Sequence, residues 1–155
     1  MAELVSGVEA PDFTLPRDGG GTLSLSGFRG RPVVLFFYPK DDTEGCTTEA
    51  KDFTAAKAQF DALGVALIGL SPDPVKKHDK FVKKHDLGVP LASDEGLQTL
   101  EAYGVWKEKS MYGRTYMGVE RTTVLIDANG RIAEIWPKVK VKGHVEAVLE
   151  AARKL

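Results

Sequence analysis

The chain has 155 residues, 43% hydrophobic and 28% charged, a size and balance suited to one globular domain over residues 1–155 with a substantial core. A formal net charge of −1 provides no basic surface for neutralising phosphates and argues against a nucleic-acid-binding role. No apolar run approaches membrane-spanning length, and the opening Met-Ala-Glu-Leu-Val-Ser-Gly lacks the basic start and apolar stretch of a signal peptide, so a soluble, cytoplasmic protein without membrane contact is expected.

In chain order, Phe13-Thr14-Leu15 and Thr22-Leu23-Ser24-Leu25 flank a turn rich in Gly19, Gly20 and Gly21 and predict a short hairpin. Residues 33–37, continuously apolar, predict a central strand covered on both faces. Over residues 43–63, Ala50, Phe53, Ala56, Phe60 and Leu63 recur at helical spacing, and Gly64 supplies the stop. A second buried strand follows over residues 65–70. Asp73-Pro74 then has the form of an N-cap and first helical residue, opening a helix that runs to about Asp86. The lysine-rich runs of this helix, Lys76-Lys77-His78-Asp79-Lys80 and Lys83-Lys84-His85-Asp86, read as a solvated face. Asp94 opens a shorter helix with Leu97, Leu100 and Tyr103, ended by Gly104. Residues 122–127 and 131–136 flank Ala128-Asn129-Gly130, a strong hairpin signal. Val139 and Val141 read as an edge strand or connector, and Val145, Val148, Leu149, Ala152 and Leu155 as a closing amphipathic helix. Strands alternating with helices, then a hairpin and a helix, give an α/β layered domain with a mixed sheet.

The chemistry concentrates on the only cysteine, Cys46, where the apolar strand gives way to the first long helix. A thiol in the first turn of a helix faces unpaired backbone N–H groups and the positive end of the dipole, which favour the nucleophilic thiolate. Pro39 fixes the turn leaving the strand. Thr43, three residues before the cysteine, is an N-cap candidate whose hydroxyl can also point at the sulfur's reaction partner. Asp41, Asp42, Glu44 and Glu49 oppose a thiolate, and Lys40 alone does not offset them. A further cation has to come from the fold. Arg121, at the start of the strand over residues 122–127, is the best candidate and Arg114 the next.

The run Tyr38-Pro39-Lys40-Asp41-Asp42-Thr43-Glu44-Gly45-Cys46-Thr47-Thr48-Glu49 resembles the active-site signature of the peroxiredoxins, and in its full length that of their bacterioferritin comigratory protein branch. The resemblance extends over essentially the whole chain. It implies a thioredoxin-like fold with the peroxiredoxin N-terminal extension and a mixed central sheet flanked by helices. The implied activity is thiol-dependent reduction of hydrogen peroxide and organic hydroperoxides through a sulfenic acid on Cys46. The segment Glu120 to Asp127 matches the stretch that supplies the active-site arginine, here Arg121. Thr43, Arg121 and the Cys46 backbone N–H are expected to donate to the peroxide, with Pro39 shielding the sulfur. Glu49 matches the family's Glu/Gln at this place but also suits a helix N-terminus. No cofactor or metal is called for.

The branch often carries a second, resolving cysteine five residues after the first, where this chain has Lys51, or in the following helix around residues 82–84, where it has none. A one-cysteine type follows, its sulfenic acid reduced by an outside thiol such as thioredoxin, glutaredoxin or a small thiol. The branch resemblance also points to a monomer. A thioredoxin-like disulfide reductase is disfavoured because Glu49 stands at the second position of Cys-x-x-Cys; a redox sensor or chaperone role for Cys46 is compatible with the sequence. His78, His85 and His144 are scattered, without a metal-ligand motif. Tyr103, Trp106, Tyr112, Tyr116 and Trp136 read as core or rim.

Overall fold

The structure, a computed structural model, describes residues 4–155. Residues 1–3, at the head of the segment read as lacking a leader, lie outside the described residues. Nine strands and four α-helices are described in the order β1 Thr14–Pro16, β2 Thr22–Ser24, β3 Val33–Phe37, α1 Glu44–Ala62, β4 Ala66–Ser71, α2 Val75–His85, β5 Leu91–Ser93, α3 Gln98–Ala102, β6 Trp106–Met111, β7 Arg114–Val119, β8 Thr122–Ile126, β9 Ile132–Trp136 and α4 His144–Arg153, with a 3-10 turn at Leu25–Phe28.

Five strands form the central sheet in the order β5-β4-β3-β8-β9. β3 pairs in parallel with β4 and antiparallel with β8, so the sheet is mixed as expected. All five residues of β3 are buried, because the strand is covered on both faces. Alternation divides them. Val34 and Phe36, with Tyr38 beyond the strand end, enter a core shared with Phe53 and Phe60 of α1, Phe81 of α2 and Val148 of α4. Val33, Leu35 and Phe37 enter a second core with Phe13, Leu25, Leu100 and Tyr103. Phe36 and Phe53 stack at 4.5 Å, which locks α1 to the strand that feeds it. Burying an aromatic side chain of this kind contributes about 2–3 kcal/mol.

The N-terminal hairpin forms as β1 and β2, paired from Thr14↔Ser24 to Pro16↔Thr22. The turn at Gly130 joins β8 to β9. Helix α2 starts one residue later than the sequence reading: Pro74 occupies the cap, and the Asp73 carboxylate instead accepts from the Asp41 N–H at 2.8 Å and the Ser71 hydroxyl at 2.7 Å. Asp94 lies in a turn ahead of α3, yet its carboxylate still accepts the Leu100 N–H at 2.8 Å. Residues 138–143 form a connector and not an edge strand, tied by the Val139 N–H to the Arg121 carbonyl at 2.9 Å.

Two larger departures concern a second ribbon and the sheet-facing side of α2. The β6–β7 ribbon was not anticipated; it closes through a two-residue turn, Tyr112-Gly113, with φ of 53° and 76°, the conformation that matches the twist of a hairpin. Tyr112, read as core or rim, is 98% exposed at its tip. The lysines of α2 do face solvent, but His78 in their midst is fully buried because it turns toward the sheet and meets a buried carboxylate, Asp41.

Candidate active site

Strand β3 delivers the chain at Tyr38, residues 39–43 turn, and α1 begins at Glu44, so Cys46 sits in the first turn of the helix. Its side chain is buried at 2% exposure. Thr43 occupies the cap position with extended backbone, but its hydroxyl donates to the Lys40 carbonyl at 2.9 Å and makes no cap bond to the helix. The Thr43 proton is thus engaged with the Lys40 carbonyl, and its oxygen retains acceptor capacity. Without a side-chain cap, the first-turn N–H groups, that of Cys46 among them, keep no intrahelical acceptor. Pro39 lies half-buried between the strand end and this turn.

Arg121, brought by the approach to β8, places Nη2 3.2 Å from Cys46 Sγ and Nη1 2.8 Å from Glu49 Oε1. One guanidinium thus spans the thiol and a carboxyl one helical turn further along α1. Gly45 makes the approach feasible, since a Cβ there would lie 3.1 Å from Arg121 Nη2. Glu49 is fully buried, and its Oε2 has no hydrogen-bond partner among the described residues. Burial is the largest influence and raises the Glu49 carboxyl to about 7, against the opposing pull of Arg121. Arg121 in turn is pushed down by burial but held above its usual value by Glu49 and Cys46. The arginine is a permanent cation between two groups that each carry charge only when deprotonated.

The carboxylates that sequence proximity sets against a thiolate are handled separately. Asp41 is buried, its Oδ1 accepting the Tyr38 hydroxyl at 2.7 Å and its Oδ2 lying 2.6 Å from His78 Nδ1. Asp42, exposed and in a left-handed conformation at φ 61°, meets Lys84 Nζ and His85 Nε2, both at 2.8 Å. Glu49 is on Arg121. Glu44 remains at the surface in the first helical turn.

Two further groups border the site: Lys109, which the sequence did not single out, and His144, read there only as one of three scattered histidines. Lys109 of β6 is half-buried; burial and then the charge of Arg121 lower its pKa, while Cys46 and Glu120 act the other way. His144, at the start of α4, lies with Nε2 2.8 Å from the Thr123 hydroxyl, and burial followed by the Arg121 charge lowers it to about 4, a neutral ring behind the guanidinium. The Tyr112-Gly113 pair, a turn signal, was the one local sign of the ribbon that carries Lys109. Arg114, the alternative cation, is exposed at the far end of the ribbon. The sequence candidates Cys46, Arg121 and Glu49 are thus joined by direct contacts, with Thr43 and Pro39 in the adjoining turn.

Residues 6–135 match the AhpC/TSA family. Peroxiredoxin Bcp of Bacillus subtilis is 48% identical over 147 residues, spanning 95% of this chain and 94% of the relative. A solved Cys-to-Ser mutant of Xylella fastidiosa PrxQ superposes with a TM-score of 0.94 at 36% identity, covering 99% of this chain and 98% of that one. The bacterioferritin comigratory protein of Xanthomonas campestris, solved in trapped intermediate and ligand complexes bearing on its alkyl peroxide reduction activity, superposes with a TM-score of 0.91 at 41% identity over 97% of this chain and 98% of its own.

Proposed function

The chain belongs to the AhpC/TSA family as a thioredoxin-fold peroxiredoxin of the bacterioferritin comigratory branch, a thiol-dependent peroxidase, and from that premise we propose that Cys46 is the sulfur that attacks the peroxide. The observation that supports this reading is the guanidinium of Arg121 held between Cys46 Sγ and Glu49 Oε1. In the reaction the Cys46 thiolate forms an S–O bond to one peroxide oxygen while the O–O bond breaks. The electron pair goes to the departing oxygen, which takes a proton and leaves as water or alcohol. Sulfur is oxidised to a sulfenic acid and the peroxide is reduced.

The difficulty lies in the charge that moves onto the departing oxygen. Donors fixed before the reaction do most to stabilise it. The Arg121 guanidinium and the Cys46 N–H are those donors in this reading, and the Thr43 oxygen accepts the peroxide O–H. Pro39 shapes the turn that keeps water from the sulfur. Glu49 holds Arg121 through Nη1 and serves the site as an anchor for the guanidinium, beyond any service to the helix terminus.

With one cysteine, regeneration needs an external thiol, such as thioredoxin, glutaredoxin or a small thiol. The first thiol displaces water from the sulfenic acid to form a mixed disulfide, and a second thiol releases Cys46 and leaves as the disulfide. Hydrogen peroxide and organic hydroperoxides are the substrates, the protein acts as a monomer in the cytoplasm, and residues 1–155 work as one domain. The test mixes reduced protein with stoichiometric hydrogen peroxide and follows intact mass. One added oxygen within seconds, turnover on adding thiol, and loss of both in Cys46→Ser are expected. A Cys46→Ser protein with substantial turnover overturns the assignment, since a serine hydroxyl without a general base is a poor nucleophile at neutral pH.

A further inference from the structure

The turn at residues 39–43 carries Thr43 and Pro39 and leads straight into Cys46, yet its deepest attachment points away from the sulfur. Asp41 turns inward. Its Oδ1 accepts the Tyr38 hydroxyl at 2.7 Å, its Oδ2 meets His78 Nδ1 at 2.6 Å, and its backbone N–H donates to Asp73 at 2.8 Å. His78 has no solvent exposure, and its other nitrogen, Nε2, lies 3.0 Å from the Ala92 carbonyl. A carbonyl oxygen can only accept, so Nε2 carries a proton. The short contact at Nδ1 needs a second proton between nitrogen and carboxylate. One imidazolium therefore joins the turn before Cys46 to α2 and β5, and neither charge of the pair reaches water.

We propose that His78 is a positioning residue for the peroxide reaction: acting through Asp41, its doubly protonated ring holds residues 39–43, and with them the first turn of α1, where Arg121 Nη2 meets Cys46 Sγ. Removal of the second proton releases the turn. The proposal rests on the reading of Cys46 as the reacting sulfur. A neutral ring has one N–H for two acceptors, so it sets a lone pair against either the Asp41 carboxylate or the Ala92 carbonyl. A buried acceptor facing an acceptor is costly, and the turn, lying outside every helix and strand and with four of its five residues not buried, is the segment that yields. The outer tie, Asp42 to Lys84 and His85, is exposed and weak by comparison.

The groups facing the ring set the direction of the pH response. They are Asp41 and Tyr38 from the strand end and turn, Asp73 from the β4–α2 connection, and the Ala92 carbonyl from β5. Burial pushes the ring down, but the bond and charge of Asp41, the Ala92 carbonyl and the charge of Asp73 together carry it above 6.5. Tyr38 is raised well above its ordinary range, chiefly by burial and then by Asp41, and stays a neutral donor. A raised histidine contributes its stabilisation fully below its unfolded value of about 6.5 and loses it as pH rises through the folded one. The turn is thus tied in acid and released in alkali.

The experiment is amide hydrogen exchange on the reduced protein, read by mass spectrometry for peptides covering residues 39–46 and, as a reference, β8, between pH 6 and 9.5 and corrected for intrinsic exchange. The wild type should show protection of the turn falling at least tenfold relative to β8 as pH rises. In His78→Asn, whose amide offers Asp41 a hydrogen that does not titrate, the fall should disappear. In His78→Phe the turn should exchange rapidly at every pH. Oxidation of its Cys46 by peroxide should also slow at least tenfold while alkylation by iodoacetamide holds or quickens, and His78→Asn should restore the oxidation rate. A wild-type profile that does not fall with pH, or one that persists in His78→Asn, overturns the proposal. So does a parallel loss of oxidation and alkylation in His78→Phe. Failure of the wild type to gain oxygen from peroxide would instead defeat the reading of Cys46, and the exchange profiles report on the tie without it.

Discussion

Replacing Glu49 with glutamine exchanges a buried carboxyl for an amide of the same shape while leaving an oxygen for Arg121 Nη1, now 2.8 Å from Oε1. In the unfolded chain the carboxyl titrates near 4.5, and in the fold burial outweighs Arg121 and moves it to about 7. The native state therefore holds this proton more tightly than the unfolded state. The stabilisation it brings is complete below pH 4.5 and is lost as pH rises through about 7. At about 1.4 kcal/mol per pH unit, that interval corresponds to about 3 kcal/mol. Glutamine does not titrate, so the stability of Glu49→Gln relative to the wild type should climb by about 3 kcal/mol between acid and mildly alkaline pH. Paired urea denaturations at half-unit steps from pH 4.5 to 8.5 measure this difference, and titrations common to both proteins cancel. A flat difference would show that the carboxyl does not titrate abnormally. A difference that falls with pH would show the ionised Glu49–Arg121 pair to be stabilising, and would refute the argument that burial governs the site.

Arg121→Gln should slow oxidation of Cys46 by peroxide about 100-fold, the scale of losing one fixed donor to a developing oxyanion. Arg121→Lys should keep alkylation by iodoacetamide near wild type yet leave oxidation slow, because an ammonium is a point charge without the planar donor pair; stopped-flow oxidation beside alkylation separates the two, and unchanged curves in Arg121→Gln would return the role to another cation. Gly45→Ala should displace Arg121 Nη2, which lies 3.1 Å from the new Cβ, and slow oxidation while the thermal midpoint holds or rises, since alanine favours a helix over glycine by up to about 1 kcal/mol. Equal oxidation rates in Gly45→Ala and wild type would mean the guanidinium has room to step aside.

The central sheet and α1 were legible because β3 is continuously apolar and the apolar residues of α1 repeat at helical spacing, patterns imposed by burial on both faces of one strand and one face of one helix. The β6–β7 ribbon was not. It stands apart from the main sheet with most of its residues exposed, so no buried face imprints a period of two, and only the Tyr112-Gly113 pair marked its turn. Cys46, Arg121 and Glu49 were found for unlike reasons: the cysteine from its local strand-to-helix setting, the arginine from a charge requirement sharpened by family resemblance, the glutamate from the same motif with its role left open. His78 escaped because its partner is 37 positions away, and a histidine flanked by lysines on a polar helix gives no local sign that its ring is turned inward.

The same long-range pairing changes what the motif's acidity means. Read along the chain, Asp41 and Asp42 are adverse charges crowding a thiolate; read in space, each is a point at which the cysteine-bearing turn is fastened to α2, one buried on His78 and one exposed on Lys84 and His85. The inner fastening is strong because water cannot compete for it, and the outer one is screened. Glu49 differs from both in holding the guanidinium that touches the sulfur. Neutralising each in turn should therefore have distinct effects. Asp42→Asn should change little beyond salt sensitivity, Asp41→Asn should loosen the turn, and Glu49→Gln should alter the pH dependence of the centre itself. Of the four acidic residues beside Cys46, two are thus fastened elsewhere, Glu49 shares the sulfur's cation, and Glu44 stays at the surface.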